Sequence, residues 1–146
     1  MAEEKDTKKK GDLLSKKLYL IMKEVDRINK DANNSHQNYK YASEQMIKET
    51  LHQALVKYKV LFQLETGNPR VIEKVTWIDC KYTFRDAENP EDTITGSFLG
   101  SGQSRDEKGH YASITGAIKY ILTSFFLIPT GDDPEKDQAP KNGQPF

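Results

Sequence analysis

The apolar segment at residues 114–126 constrains this chain most. Ile114, Ile118, Ile121, Leu122, Phe125 and Phe126 recur at three- and four-residue steps, the period of a helix with one buried stripe. Pro129, Thr130 and Gly131 stop it, and Asp132-Asp133 follow. Gly116 and Ala117 keep part of the helix thin, so that a second backbone can approach it closely. Lys119 is the only ionised side chain between His110 and Pro129, and it stands beside Tyr120. Upstream, Gly100-Ser101-Gly102-Gln103-Ser104 reads as the start of a flexible glycine-serine loop that reaches Gly109 and contains Arg105 and Lys108.

The remaining elements supply what such a helix packs against. Residues 1–11, with Lys8, Lys9 and Lys10, read as a disordered charged arm. Asp12 is expected to cap a first helix running to about Asp31. Its apolar face is Leu14, Leu18, Ile21, Val25 and Ile28, with the charged residues on an opposite, solvated face. A polar connector over residues 32–42 ends in Tyr39-Lys40-Tyr41. Two readings of that triplet stay open: rings that stack bases with a lysine on phosphate, or rings that anchor the loop on the core. Ser43 caps a second helix to about Tyr58, with Met46, Ile47, Leu51, Ala54, Leu55 and Tyr58 on its buried side.

Residues 60–65 alternate as a strand, and Gly67-Asn68-Pro69 signals a turn. From Val71 to Phe84 the chain is β-rich. Thr76, Ile78, Cys80, Tyr82 and Phe84 share an apolar face there; Val75, Trp77, Asp79, Lys81, Thr83 and Arg85 share the other. The second face carries Lys81 and Arg85 outward. Asn89-Pro90 marks a polar hairpin connection, and residues 93–99 return as a third strand. The order predicts an α+β fold in which helices pack on a small antiparallel β-meander that is followed by a long core helix. One domain over residues 12–130 is expected, with 131–146 a disordered tail rich in Asp, Pro, Gly and Gln.

Composition excludes more than it assigns. The 22 basic and 22 acidic residues cancel, whereas a lone nucleic-acid-binding domain is usually basic. DNA binding therefore requires the charge to be segregated by face, and composition alone favours an ordinary neutral surface. A single cysteine, Cys80, excludes an internal disulfide and a multi-cysteine metal site, and its place in a strand marks it as a buried inert thiol. His36, His52 and His110 have no ligand spacing and read as surface or loop residues. No run approaches the roughly 18 apolar residues of a membrane span, and the N-terminus has no signal-peptide h-region, so a cytoplasmic protein is expected. The glycine-serine run lacks the Gly-Lys-Ser/Thr ending of a phosphate-binding loop. Asp132-Asp133 stand with no other metal ligand beside them, and read as an acidic helix exit rather than a nuclease centre. Neither metal nor cofactor is expected.

The run Ser113-Ile114-Thr115-Gly116-Ala117-Ile118-Lys119-Tyr120-Ile121-Leu122, closing in Ile128-Pro129-Thr130-Gly131-Asp132-Asp133, resembles the signature of the ERF family of phage and prophage recombination proteins. Tyr39-Lys40-Tyr41-Ala42-Ser43-Glu44 is similar to that family's early Tyr-x-Tyr segment. The chain departs from some relatives at Ala112 and from many at Ile118, where they carry further basic residues.

The resemblance implies a Rad52-like annealing fold and a protein that anneals single-stranded DNA without ATP and without enzymatic chemistry. It implies a homo-oligomer, either ring or helical filament, in a bacterial host cell, with single-stranded DNA as ligand. A host or phage single-strand binding protein is a further candidate partner. Lys119 is the phosphate contact it implies. Tyr120, its neighbour, is read as core. Lys81, Arg85, Arg105 and Lys108 complete a basic stripe on chemistry alone, with Tyr39, Lys40 and Tyr41 as the aromatic contribution. Other readings are a single-strand binder that does not anneal, a small metal-dependent nuclease using Asp132 and Asp133, and a protein-interaction adaptor docking through its first helix.

Overall fold

The longest strand, β5 (Val75–Asp86), is the spine of the structure, a computed structural model that describes residues 12–28, 32–34, 39–103 and 108–130. Its even-numbered positions from Thr76 to Asp86 are apolar, small or internally paired and face inward, all of them buried except half-buried Tyr82. One edge is covered for nearly its full length by β6 (Thr93–Gln103), antiparallel, with Phe84 opposite Ile94 and Ile78 opposite Gly100. The other edge is shared by β3 (Val60–Thr66), which pairs with residues 80–86, and β4 (Arg70–Ile72), which pairs with residues 75–77.

This corrects the expected turn. At Gly67-Asn68-Pro69 the chain does not reverse, because β3 and β4 both run antiparallel to β5. The Gly67 amide still donates to the Asp79 carbonyl at 2.8 Å. Pro69 lacks an N–H and interrupts an edge strand, where its missing donor breaks no central ladder. The reversal comes at Glu73 and Lys74, both left-handed with φ of 50° and 70°. Two consecutive positive φ values are the requirement of a type I′ hairpin, which usually recruits Asn-Gly. Glu-Lys carries no such signal.

Among the described residues three helices cover the inner face: α1 (Leu14–Glu24), α2 (Glu44–Tyr58) and α3 (Lys108–Phe125). Ser43 caps α2 as its sequence requires, its hydroxyl accepting from the Met46 amide at 3.1 Å. The cap of α1 departs from expectation. Leu13 holds the cap position without a side-chain bond, and the Leu14 amide donates instead to the Asp92 carboxylate at 2.9 Å. The helix also stops at Glu24 rather than near Asp31. Val25 and Ile28 remain in the core, but the Ile28 amide bonds the Pro129 carbonyl at 3.2 Å, and that tertiary contact replaces another helical turn. Ala32–Asn34 (β1) and Tyr39–Tyr41 (β2) form a small antiparallel pair where a connector was expected.

The main core joins Leu14, Ile21, Ile47, Leu51, Leu122 and Phe126 around Phe84. The Phe84 ring lies 4.4 Å from Phe125, 5.1 Å from Phe62 and 5.5 Å from Phe126, an aromatic cluster that fixes the C-terminal half of α3 on the sheet. Ile78, Cys80, Ala117 and Ile121 form a second cluster nearer the start of α3. Cys80 is buried there as read, its thiol pushed up by burial.

The charged face of α1 is not wholly solvated. Lys17 lies on the buried side beside Leu14, Leu18 and Ile21, only 4% exposed. Its ammonium donates to Asp86 and Glu88 at 2.8 Å each, and Asp86 is 1% exposed. The β5–β6 connection thereby grips α1.

Candidate nucleic-acid interface

The glycine-serine run is strand, not loop. Gly100, Ser101, Gly102 and Gln103 extend β6 along β5. A methyl group at Gly100 would stand 2.8 Å from the Ser113 carbonyl oxygen. One at Gly102 would stand 2.6 Å from both the Gly109 oxygen and the Ser113 nitrogen. The glycines are there so that α3 can lie directly on strand backbone. Close approach is thus made at Gly109, Ser113 and Ala117, all buried, and not at Gly116, whose added methyl would meet only the Ser101 oxygen at 3.9 Å.

With Gly109, Ser113, Ala117 and Ile121 turned to the sheet, the helical period turns Lys108, Tyr111, Thr115 and Lys119 the other way. Lys108 opens α3 rather than sitting in a loop. From Lys108 to Lys119 the row is about 16 Å long, at 1.5 Å per residue. Tyr111 is 64% exposed, its ring in edge contact with His110 at 5.6 Å. His110 belongs to the helix too, half-buried, and its Nδ1 is buried without a hydrogen-bond partner among the described residues.

Tyr120 is not core. It is 45% exposed and its ring lies nearly parallel to Phe98, 6.5 Å away, with the Lys119 ammonium 5.9 Å from its centroid. The Lys-Tyr pair is therefore a half-buried lysine whose ammonium lies over an exposed ring. Lys48 and His52 of α2 line a cleft of about 500 Å³ with Ile118 and Leu122 of α3. Sequence reading did not join them to this helix, because only the packing of α2 on α3 brings them near.

Lys81 and Arg85 lie elsewhere. Both are on the outer face of the sheet, the side away from the helices. Lys81 is directly opposite Glu65 on β3 and Ser97 on β6. Arg85 donates to the Pro90 carbonyl at 2.6 Å and to the Gln63 side chain at 3.4 Å, which ties down the hairpin. Arg70, which sequence reading passed over, makes a two-armed pair with Asp79 at 2.9 and 3.3 Å, holding that carboxyl below its ordinary range. The outer face is thus mixed in sign.

A helix about 10 Å across and the sheet separate these groups from Lys119. Of the stripe read as Lys81, Arg85, Arg105 and Lys108, the first two lie on the outer sheet face and Lys108 on α3. Arg105 lies outside the described residues, as do the side chains of Tyr39, Lys40 and Tyr41. Asp132 and Asp133 are likewise outside them. Among the described residues no group of three or more His, Cys, Asp or Glu side chains is placed to hold a metal ion. No helix among them is long and apolar enough to cross a membrane.

No curated protein matches the chain. The family model of the ERF superfamily matches residues 14–145. That match takes in every helix and strand described above, and the chain belongs to the ERF superfamily, a family of phage-type single-strand annealing and recombination proteins.

Proposed function

We propose that this chain binds single-stranded DNA along the row of α3 turned away from the sheet and anneals complementary strands without ATP, working as a homo-oligomer. The observation that carries the reading is the row itself. Lys108 and Lys119 project from one side of a helix whose other side is pressed onto strand backbone. The family's Lys-Tyr pair stands at the end of that row.

Annealing makes and breaks no covalent bond, so the reading asks for no catalytic residue and no cofactor. It asks for phosphates held by fixed cations while bases stay open to a complement. Two lysines about 16 Å apart on one rigid helix hold a strand at two points along its backbone. Each phosphate neutralised releases counterions, which makes the binding salt-dependent. A net charge of zero is compatible with this: acids such as Asp79 and Asp86 are paired with Arg70 and Lys17, away from the row.

The test is annealing of two complementary fluorescent oligonucleotides without ATP, with light scattering on the same sample. Faster annealing by a particle larger than one chain supports the reading; a monomer that binds no strand refutes it. In a folded Lys119→Ala variant, one lost phosphate contact should flatten the slope of log K against log salt by about 0.7. An unchanged slope would remove Lys119 from the interface.

A further inference from the structure

We propose that Tyr111 is a base-stacking platform of this interface, a role that rests on the single-strand reading above. The side chain is 64% exposed on a helix whose other large rings are engaged. Phe125 packs on Phe84 and Tyr120 lies against Phe98. Burial of a tyrosine ring is a large favourable term, and Tyr111 forgoes it. Its described ring contact is a steeply tilted one with a single neighbour, His110, at 5.6 Å, and the rest of the ring is open to a ligand.

Position decides what that ligand is. Lys108 lies one turn before Tyr111 on the same row, Thr115 one turn after, and Lys119 one turn beyond that. A strand whose phosphates meet the two lysines runs past the ring between them. A nucleobase is the planar, apolar-faced group such a strand offers, and every base offers one, so the contact is indifferent to sequence. The mounting is rigid as well. Gly109 and Ser113, on either side of Tyr111, are the residues seated on the backbone of Gly102. A ring on a helix held in this way is pre-positioned, so little ordering opposes the stack.

The experiment compares two labelled strands of equal length, oligo-dT and an abasic strand with the same phosphates and no bases, by fluorescence anisotropy with the full chain. Tyr111→Ala should weaken oligo-dT binding about 5- to 150-fold, the range of one lost base–aromatic stack, and leave abasic binding unchanged. Tyr111→Phe should recover the oligo-dT affinity. Lys119→Ala should weaken both strands. Equal loss on both strands in Tyr111→Ala, or none on oligo-dT, overturns the stacking role while Lys119→Ala still reports on the single-strand reading. A wild-type chain that binds neither strand overturns both.

Discussion

Lys17→Met removes one partner from an ion cluster that the fold has enclosed. In the native chain the Lys17 ammonium donates to Asp86 and Glu88, and the Glu88 amide also donates to the Asp86 carboxylate at 2.9 Å. With methionine at position 17, Asp86 keeps that amide and loses its countercharge, at 1% exposure. Breaking a buried pair from one side costs about 3–5 kcal/mol. At about 2–4 °C per kcal/mol for a chain of this size, the melting temperature should fall by about 6–20 °C. Adding Asp86→Asn removes the stranded charge, so the double variant should fall short of additivity by about 0.5–3 kcal/mol.

The pH dependence has a definite direction. Burial alone pushes the Asp86 carboxyl up, but Lys17 and the backbone amides outweigh it and hold it below its ordinary value. Its contribution is therefore present above the unfolded value of about 3.9 and lost as pH falls through the depressed folded value. Burial likewise pulls Lys17 down, and the two carboxylates raise it on balance. Its contribution is present below about 10.4 and lost as pH rises through the raised folded value. The stability difference between wild type and Lys17→Met should thus be largest where Asp86 is ionised in both proteins and shrink as acidification protonates it, first in the variant, where burial is no longer offset by Lys17. Urea melts across that range test it. A loss under about 1 kcal/mol, the worth of an exposed pair, would show that water reaches Asp86 and refute the reasoning.

Two further substitutions probe the backbone. Gly102→Ala should cost at least about 1–3 kcal/mol, since its methyl meets main-chain atoms of α3 that no rotamer change can move; a urea midpoint equal to wild type contradicts the close packing. Replacing Glu73 and Lys74 by Asn and Gly should raise stability by about 1–2 kcal/mol, because both sites are left-handed. A lower midpoint in that variant would mean the two side chains hold the turn in some other way.

What the sequence made legible followed period. The stripes of α1, α2 and α3 and the two faces of β5 all appear where alternation places them, and the Ser43 cap needed only its own local pattern. What it hid was tertiary. Nothing within a few residues of Lys17 says that Asp86, far along the chain, will receive it, although its place one turn after Leu14 and one before Ile21 puts it on the apolar side. Gly100 and Gly102 looked like loop residues because a glycine needed for flexibility and one needed for close packing are spelled alike. That error moved the start of α3, put Lys108 in a loop, and concealed its row with Tyr111. Lys81 and Arg85 were set beside Lys108 for a simpler reason: alternation places residues on faces of one strand, and does not say on which side a later helix will lie.

The contact between β6 and α3 has a consequence for how this chain tolerates change. At Gly100 and Gly102 strand main chain faces the main chain of Gly109 and Ser113, with the side chains of Ile78, Ala112 and Ala117 beside it. Ile78, Cys80 and Ile121 can drift in volume and alter how firmly the layers adhere, while the height of the helix above the sheet is held by atoms every residue shares. The glycines set a fixed reference plane, and the reach of Lys119 from it is inherited by any variant that keeps them.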